Sequence, residues 1–293
     1  MPQSRNITVA SGGTAVYFDI KFLGALLNSR FLSAIALIPL VLGSIYYGDF
    51  WFASFVAISM GLMASELRQI CNGGKIDSVG ILGVILVASV VFITFVFDVG
   101  IALIIMFLSV FFIWLLLRLN GERKRSGRGW TVLGIILIGL TGCGLVWLRG
   151  FGESGLQLVF WLVISIWITD TFAYYTGRRF KGPKLAPTIS PNKTWSGLFG
   201  GILGTAVWSG VWSVWTGTGT VFIIAIIGAG TAVLAQLGDL SVSVVKRRFG
   251  YKESGKLIPG HGGVLDRMDG FLVAAPLVAL SLAVAKGKIF LWS

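Results

Sequence analysis

The chain of 293 residues has little from which to build a water-soluble domain, a disulfide framework or a zinc site. Only 12% of it is charged while 55% is hydrophobic, a balance that excludes an ordinary soluble core. Its two cysteines, Cys71 and Cys143, fall one in a predicted loop and one inside an apolar run, so neither a disulfide nor a cysteine zinc site is expected. The single histidine, His261, has no second histidine or cysteine near it in sequence, which argues against transition-metal ligation. Heptads, low-complexity tracts and an internal repeat are lacking, as is the charged start, short apolar stretch and small-residue exit of a cleavable signal. The alternating polarity of a transmembrane barrel strand is also missing. Runs such as ILGVILVASVVFITFVF are apolar on every side.

What the chain does contain is a series of apolar runs. Each is long enough to approach the ~30 Å of a bilayer core, which about 20 helical residues span. A helix satisfies its own backbone polar groups there. Nine are expected, at about 31–47, 50–65, 78–97, 100–117, 131–148, 157–175, 195–215, 220–239 and 270–285. The fold class is therefore all-α, a polytopic transmembrane helical bundle. Residues 1–30 form a polar tail and an interfacial segment (17–30), residues 31–156 carry the first five helices, and residues 157–293 carry helices six to nine with the polar loops. Trp208, Trp212 and Trp215 suit an interfacial aromatic belt.

Assigning alternate loops to opposite sides puts 21 of the 24 Lys and Arg on one side; Arg149, Lys286 and Lys288 fall on the other. By the positive-inside rule the crowded side is cytoplasmic, and with it the N-terminus. That distribution explains the net charge of +12 without nucleic acid, and basic loops of this kind attract anionic lipid headgroups.

Polar chemistry gathers in two stretches on that side, 169–197 and 238–270, which together hold 11 of the 24 basic residues, five of the 12 acids and the histidine. Asp239 stands in an otherwise apolar run, where a lone carboxylate is costly and needs a partner. Asp239, Ser243, Lys246 and Arg247 share one helical face, and Asp266 and Asp269 stand one turn apart before the last run. A hairpin of these helices could bring three carboxylates together, a hard-oxygen set that suits Mg²⁺, beside cations that suit phosphate. His261, in the PGHGG segment, could be a base, a phosphate donor or a hydrogen bonder that fixes the loop. Gly250 to Lys256 mimics a phosphate-binding loop, but Leu257 stands where Ser or Thr is required and no strand precedes it. Further back, Asp170, Tyr174 and Arg178 follow one another by single turns, and SPNKT leads into the seventh run. There Ser190 and Thr194 could cap the helix, and Lys193 lies beside an N-terminus that favours phosphate. Gly197, Gly200, Gly201 and Gly204 form interleaved GxxxG pairs, a close helix-packing face that would also permit a homodimer.

The residues Ser243, Lys246, Arg247, Lys252, Glu253, Pro259 to Gly263, Asp266, Arg267 and Asp269 resemble the signature of the phosphatidate cytidylyltransferases, also called CDP-diacylglycerol synthases. Gly238 to Leu240, Asp170, Ala173, Tyr174, the SPNKT segment, Arg30 and Glu66 are similar to that family as well, so the resemblance covers about residues 30–285. It implies transfer of a cytidylyl group from CTP to phosphatidic acid at the cytoplasmic face of a bacterial plasma membrane. It further implies that Asp239, Asp266, Lys246 and His261 are catalytic, and that Asp239 and Asp266 hold Mg²⁺, with a second cation nearby. Ser243, Arg247, Lys252, Arg267, Asp269, Lys193, Ser190, Asp170 and Tyr174 would then meet the substrates. Two positions depart from the pattern: Glu253 replaces an Asp, and Val242 replaces a Glu. On a helix, residue 242 is turned roughly 60° from Asp239, so a Glu there could reach the same cation or a neighbouring one.

Two other functions fit a polytopic chain, and Val242 in place of a Glu leaves a third reading, a homologue that has lost its activity. A transporter would spread ionisable groups through bilayer depth or pair them across repeats, whereas these cluster on one side. A CTP-using lipid kinase would share the metal and nucleotide logic and differ in which phosphate reaches the lipid.

Overall fold

The structure is a computed structural model, and it describes residues 29–119, 125–258 and 262–285. The expected tail, most of the interfacial segment, Lys286, Lys288 and His261 lie outside the described residues. Long helices stand at the positions of the apolar runs: α1 Ser29–Tyr47, α2 Asp49–Cys71, α3 Ser78–Val96, α4 Val99–Leu119, α5 Arg125–Arg149, α6 Gly152–Phe180, α7 Trp195–Thr216 and α8 Val221–Arg248. A short helix α9, Leu265–Met268, leads into α10, Phe271–Val284. Seven of these, α2 to α8, are long and apolar enough to cross a membrane, and two shorter apolar helices span Leu37–Tyr47 and Phe271–Val284. The molecule is a polytopic helical membrane protein.

The core is a seam of buried apolar side chains shared by α2, α3, α5, α6 and α10, among them Met60, Met63, Val91, Ile138, Leu148, Leu162 and Ala275. Side chains such as Ile104, Phe107, Leu108 and Phe111 on α4 and Phe199, Leu203 and Val207 on α7 point outward instead. In lipid this carries no hydrophobic penalty, because acyl chains are as apolar as the core. Since burial of apolar area does not drive helix association in lipid, close contact and polar bonds must. The glycines of α7 serve this end. Gly197 lies against the Ala173 carbonyl, Gly201 against the Thr169 carbonyl, Gly200 against Thr176 and Gly204 against the Phe172 ring, so the expected packing face is used within the chain, between α6 and α7. Buried hydroxyls bridge the same pair: Thr169 and Thr205 are 2.7 Å apart, and Trp161 Nε1 donates to Ser209 Oγ at 3.0 Å.

Helix ends are tied by side chains. Asp77 caps α3 by accepting from Gly80 N at 2.9 Å and pairs with Arg68 of α2, which is 2% exposed. The Arg68 hydrogen bond is the first cause holding the Asp77 carboxyl below its usual range, against the opposing effect of burial. At the opposite end of the bundle, Arg149 donates to the last carbonyls of α1, Ile45 O at 2.8 Å and Tyr46 O at 3.3 Å. Of the tryptophans expected in an interfacial belt, Trp212 is buried and Trp215 is exposed.

One feature of the 181–194 connection was not expected. Instead of a loop it folds into a two-stranded antiparallel hairpin, β1 (Lys184–Ala186) and β2 (Ser190–Thr194), with Lys184 opposite Thr194 and Ala186 opposite Ser190. Thr194 ends the hairpin by capping α7, its hydroxyl accepting from Gly197 N at 3.1 Å. The capping role considered for Ser190 therefore falls to Thr194 alone.

Candidate active site

The last three turns of α8 present Asp239, Ser243 and Lys246 on one face, as helical spacing requires; Ser243 Oγ donates to Asp239 Oδ1 at 3.3 Å. Arg247 shares that side of α8 but is turned to the hairpin. Its guanidinium reaches the carbonyls of Ile189 at 3.1 Å and Tyr251 at 3.1 Å, which ties the hairpin to the end of α8.

The hairpin in turn delivers Lys193. Its ammonium lies 2.6 Å from Asp239 Oδ2 and 2.9 Å from Gln236 Oε1, so β2 and α8 meet through a charge-assisted pair. The second lysine, Lys246, lies 2.6 Å from Asp266 Oδ1. The other Asp266 oxygen accepts from the backbone N–H of Ser254 at 2.7 Å and Gly263 at 3.3 Å. Burial would raise the Asp266 pKa, but Lys246 and these donors outweigh it and hold the carboxyl below its ordinary range. Gly262 completes this turn with φ +86°, and a Cβ there would stand 2.9 Å from Asp266 Oδ2. Its partner across the turn is Ile258, whose N–H donates to Gly262 O at 2.9 Å.

Asp269 takes a different place. Gly238 lacks the Cβ that would run into the Asp269 carbonyl, so α8 and the α9–α10 junction touch directly and Asp269 comes beside Asp239. Burial first, then the negative charges of Asp239 and Asp170, push the Asp269 carboxyl well above its ordinary range. Asp170, exposed on α6, feels the charges of Asp239, Lys193 and Arg267. The three acids that influence one another are thus Asp170, Asp239 and Asp269. Asp266, expected as the partner of Asp239, is engaged instead by Lys246 and the loop backbone. Among the described residues no three His, Cys, Asp or Glu groups converge on a single ion position as they stand.

The remaining expected residues surround this centre. Tyr174, exposed on α6, accepts from Arg178 Nη1 at 2.8 Å. Ser190 is half-buried at the start of β2, while Lys252 and Arg267 are exposed on the loop and on α9. Val242 does not face the acids. It is buried in an apolar crevice of about 60 Å³ with Leu67, Ile138, Val245, Leu265 and Leu272. The expectation that a Glu there would reach the cation is therefore corrected: α8 turns that position toward α5 and α2.

Three polar residues that matter here were not singled out for a role from the sequence: Gln236, Ser254 and Glu66. Gln236 orients Lys193. Glu66, near the end of α2, accepts from Ser254 Oγ and from the N–H groups of Val264 and Leu265. The available signal was the one that picked out Asp239, a lone acid at the end of an apolar run.

A model of the Cytidylyltransferase family matches residues 28–285. Among curated proteins, the chain is 43% identical over 171 residues to a phosphatidate cytidylyltransferase of Brucella melitensis, covering 55% of this chain and 59% of that one. It is 37% identical over 157 residues to the phosphatidate cytidylyltransferase of Bacillus subtilis, covering 53% and 58%, and 36% identical over 149 residues to that of Staphylococcus epidermidis, covering 50% and 57%. The matched stretch thus spans less than two thirds of the length of these relatives.

Proposed function

The chain belongs to the cytidylyltransferase family, and from that membership we propose that it joins the cytidylyl group of CTP to phosphatidic acid. A phosphate oxygen of the lipid forms the new bond to the α-phosphorus of CTP, and the bond from that phosphorus to the oxygen bridging to the β-phosphate breaks. CDP-diacylglycerol and pyrophosphate result, and no covalent intermediate with the protein is needed. Both reactants are anions, so the main task is to offset their repulsion and the charge developing at the phosphoryl oxygens.

The observation that carries this reading is the pairing of two lysines from different elements with two aspartates at one end of the bundle, Lys193 with Asp239 and Lys246 with Asp266. Each ammonium is already partly shielded from water and aimed into the site, so it can exchange a carboxylate partner for a phosphate oxygen with little rearrangement. Arg267, on the exposed side of α9, extends the positive surface toward Asp170.

The acids fit a hard divalent cation in kind, since they offer oxygen donors and crowd negative charge around Asp269. We assign Mg²⁺ to Asp239 and Asp269, with water and substrate phosphates to complete its shell, and Asp266 primarily to Lys246. When bound, the cation would neutralise phosphate charge and orient the nucleotide. The bias of basic residues supports a cytoplasmic site in the plasma membrane of a bacterium.

The test is isotopic. Purified protein in detergent, given phosphatidic acid, Mg²⁺ and CTP labelled at the α-phosphorus, should yield labelled lipid and unlabelled pyrophosphate. Label entering the lipid from the γ-position would instead make the chain a kinase, and no labelled lipid in either case would refute nucleotide-dependent chemistry on phosphatidic acid.

A further inference from the structure

Glu66 is 5% exposed, and every partner it has is a donor. Its Oε1 accepts from Val264 N at 3.0 Å, and its Oε2 accepts from Ser254 Oγ at 2.8 Å and Leu265 N at 2.9 Å. Ser254 lies six residues past the end of α8, and Val264 and Leu265 lie where the polar crossing from α8 enters α9. The crossing also leaves room for the carboxylate: a Cβ on Gly255 would stand 2.8 Å from Glu66 Oε1, and one on Gly263 would collide with Oε2. Ser254 then passes the connection on, its N–H donating to Asp266 Oδ2 at 2.7 Å, while Asp266 Oδ1 holds Lys246 at 2.6 Å. One continuous chain of bonds therefore runs from α2 through the crossing to α8.

We propose that Glu66 is the positioning residue that sets the crossing, and through it Asp266 and Lys246, in register with the rest of the site. It touches no reactant. It acts by holding Ser254 and the start of α9 in one place, as only an acceptor with two oxygens can do for three donors. The catalytic consequence rests on the proposed cytidylyl transfer; the anchoring of the crossing does not.

The experiment has two readouts. In a background with Cys71 and Cys143 replaced by Ala, a spin label is placed at Lys256→Cys in the crossing or, as a reference, at Lys184→Cys in the hairpin. Glu66→Gln keeps the shape but turns an amide NH₂ toward an existing donor. Glu66→Ala removes the acceptor. The label at 256 should become more mobile from wild type to Gln to Ala, while the label at 184 stays unchanged. Cytidylyl transfer should fall about tenfold in Glu66→Gln and about a hundredfold in Glu66→Ala, the scale expected when reacting groups shift by about 1 Å, with most of the loss in kcat rather than in KM for CTP. Ser254→Ala, which removes one of the three bonds, should lie between wild type and Glu66→Ala in both readouts. An immobile label at 256 in Glu66→Ala, an equal rise in mobility at 184, or an unchanged kcat would each overturn the proposal. A wild-type protein that makes no labelled lipid would overturn the reaction instead, and the labels would still decide the anchoring.

Discussion

Lys193 and Asp239 stand 2.6 Å apart, which couples the strand before α7 to the acidic end of α8. The pair is partly buried, at 16% and 30% side-chain exposure, and Gln236 accepts a second bond from the same ammonium. Removing the cation leaves Asp239 facing Asp269 and Asp170 with less opposing charge. Lys193→Met should therefore lower turnover by about a hundredfold or more, and Asp239→Asn by a similar or larger factor, read as α-label transferred to lipid. Turnover above about a tenth of wild type in both would remove this pair from the mechanism.

The pair of Lys246 and Asp266 is more enclosed, at 11% and 12% exposure. Breaking such a pair from one side strands the other charge, so the double variant Lys246→Met with Asp266→Asn should cost less stability than the sum of the two single variants. A coupling of about 1–3 kcal/mol is expected from thermal unfolding in detergent. Strict additivity would mean that the two side chains do not depend on each other.

Asp77 provides a pH signature away from the site. Its carboxyl is held below the usual range by Arg68, so the stability it contributes is fully present above its unfolded pKa of about 3.9 and is lost as pH falls through the lower folded value. Asp77→Asn should lower the melting temperature at pH 7 and flatten its decline between about pH 5 and pH 3. Parallel melting curves for the two proteins across that window would contradict the assignment.

Val242→Glu should damage the fold rather than improve cation binding. The crevice around Val242 is lined almost wholly by apolar side chains, and the hydroxyl of Ser241 in its wall already donates to the Gly238 carbonyl at 2.6 Å, so a cost of about 3 kcal/mol or more is expected. The measurement is a melting curve with and without Mg²⁺. A variant as stable as wild type whose Mg²⁺ requirement had dropped would show that position 242 does face the cation.

Membrane orientation can be checked with introduced cysteines. Lys184→Cys and Lys256→Cys, at the site end, should resist impermeant thiol reagents in intact cells, and Phe151→Cys, at the far end beside Arg149, should react. Labelling at 184 and 256 but not at 151 would invert the topology.

Much of this architecture was legible because helical periodicity is local. Nine apolar runs gave nine helix positions, and spacing alone put Asp239, Ser243 and Lys246 on one face. What could not be read was set by neighbours distant in sequence. The direction in which Val242 points depends on where α5 lies against α8. Asp269 lies beside Asp239 because Gly238 lets two backbones touch, and Asp266 is drawn to Lys246 because Ser254 and Gly263 hold it there. The hairpin's strands, KLA and SPNKT, are too short and polar to show alternation. Arg149, an exception to the charge bias, became intelligible only as the group that closes the end of α1.

Glu66 also bears on how the protein is made. Its partners Ser254, Val264 and Leu265 lie 188 to 199 residues later in the chain. The carboxylate thus enters the bilayer long before the groups that will satisfy it exist, and the second helix must wait near the membrane boundary, where an acid is tolerated better than at mid-depth. A ribosome that stalls or terminates early releases a chain whose second helix still carries an unmet acid. In such a fragment the carboxylate has none of these three donors, so the contact that steadies the crossing forms only once the residues up to Leu265 have been made.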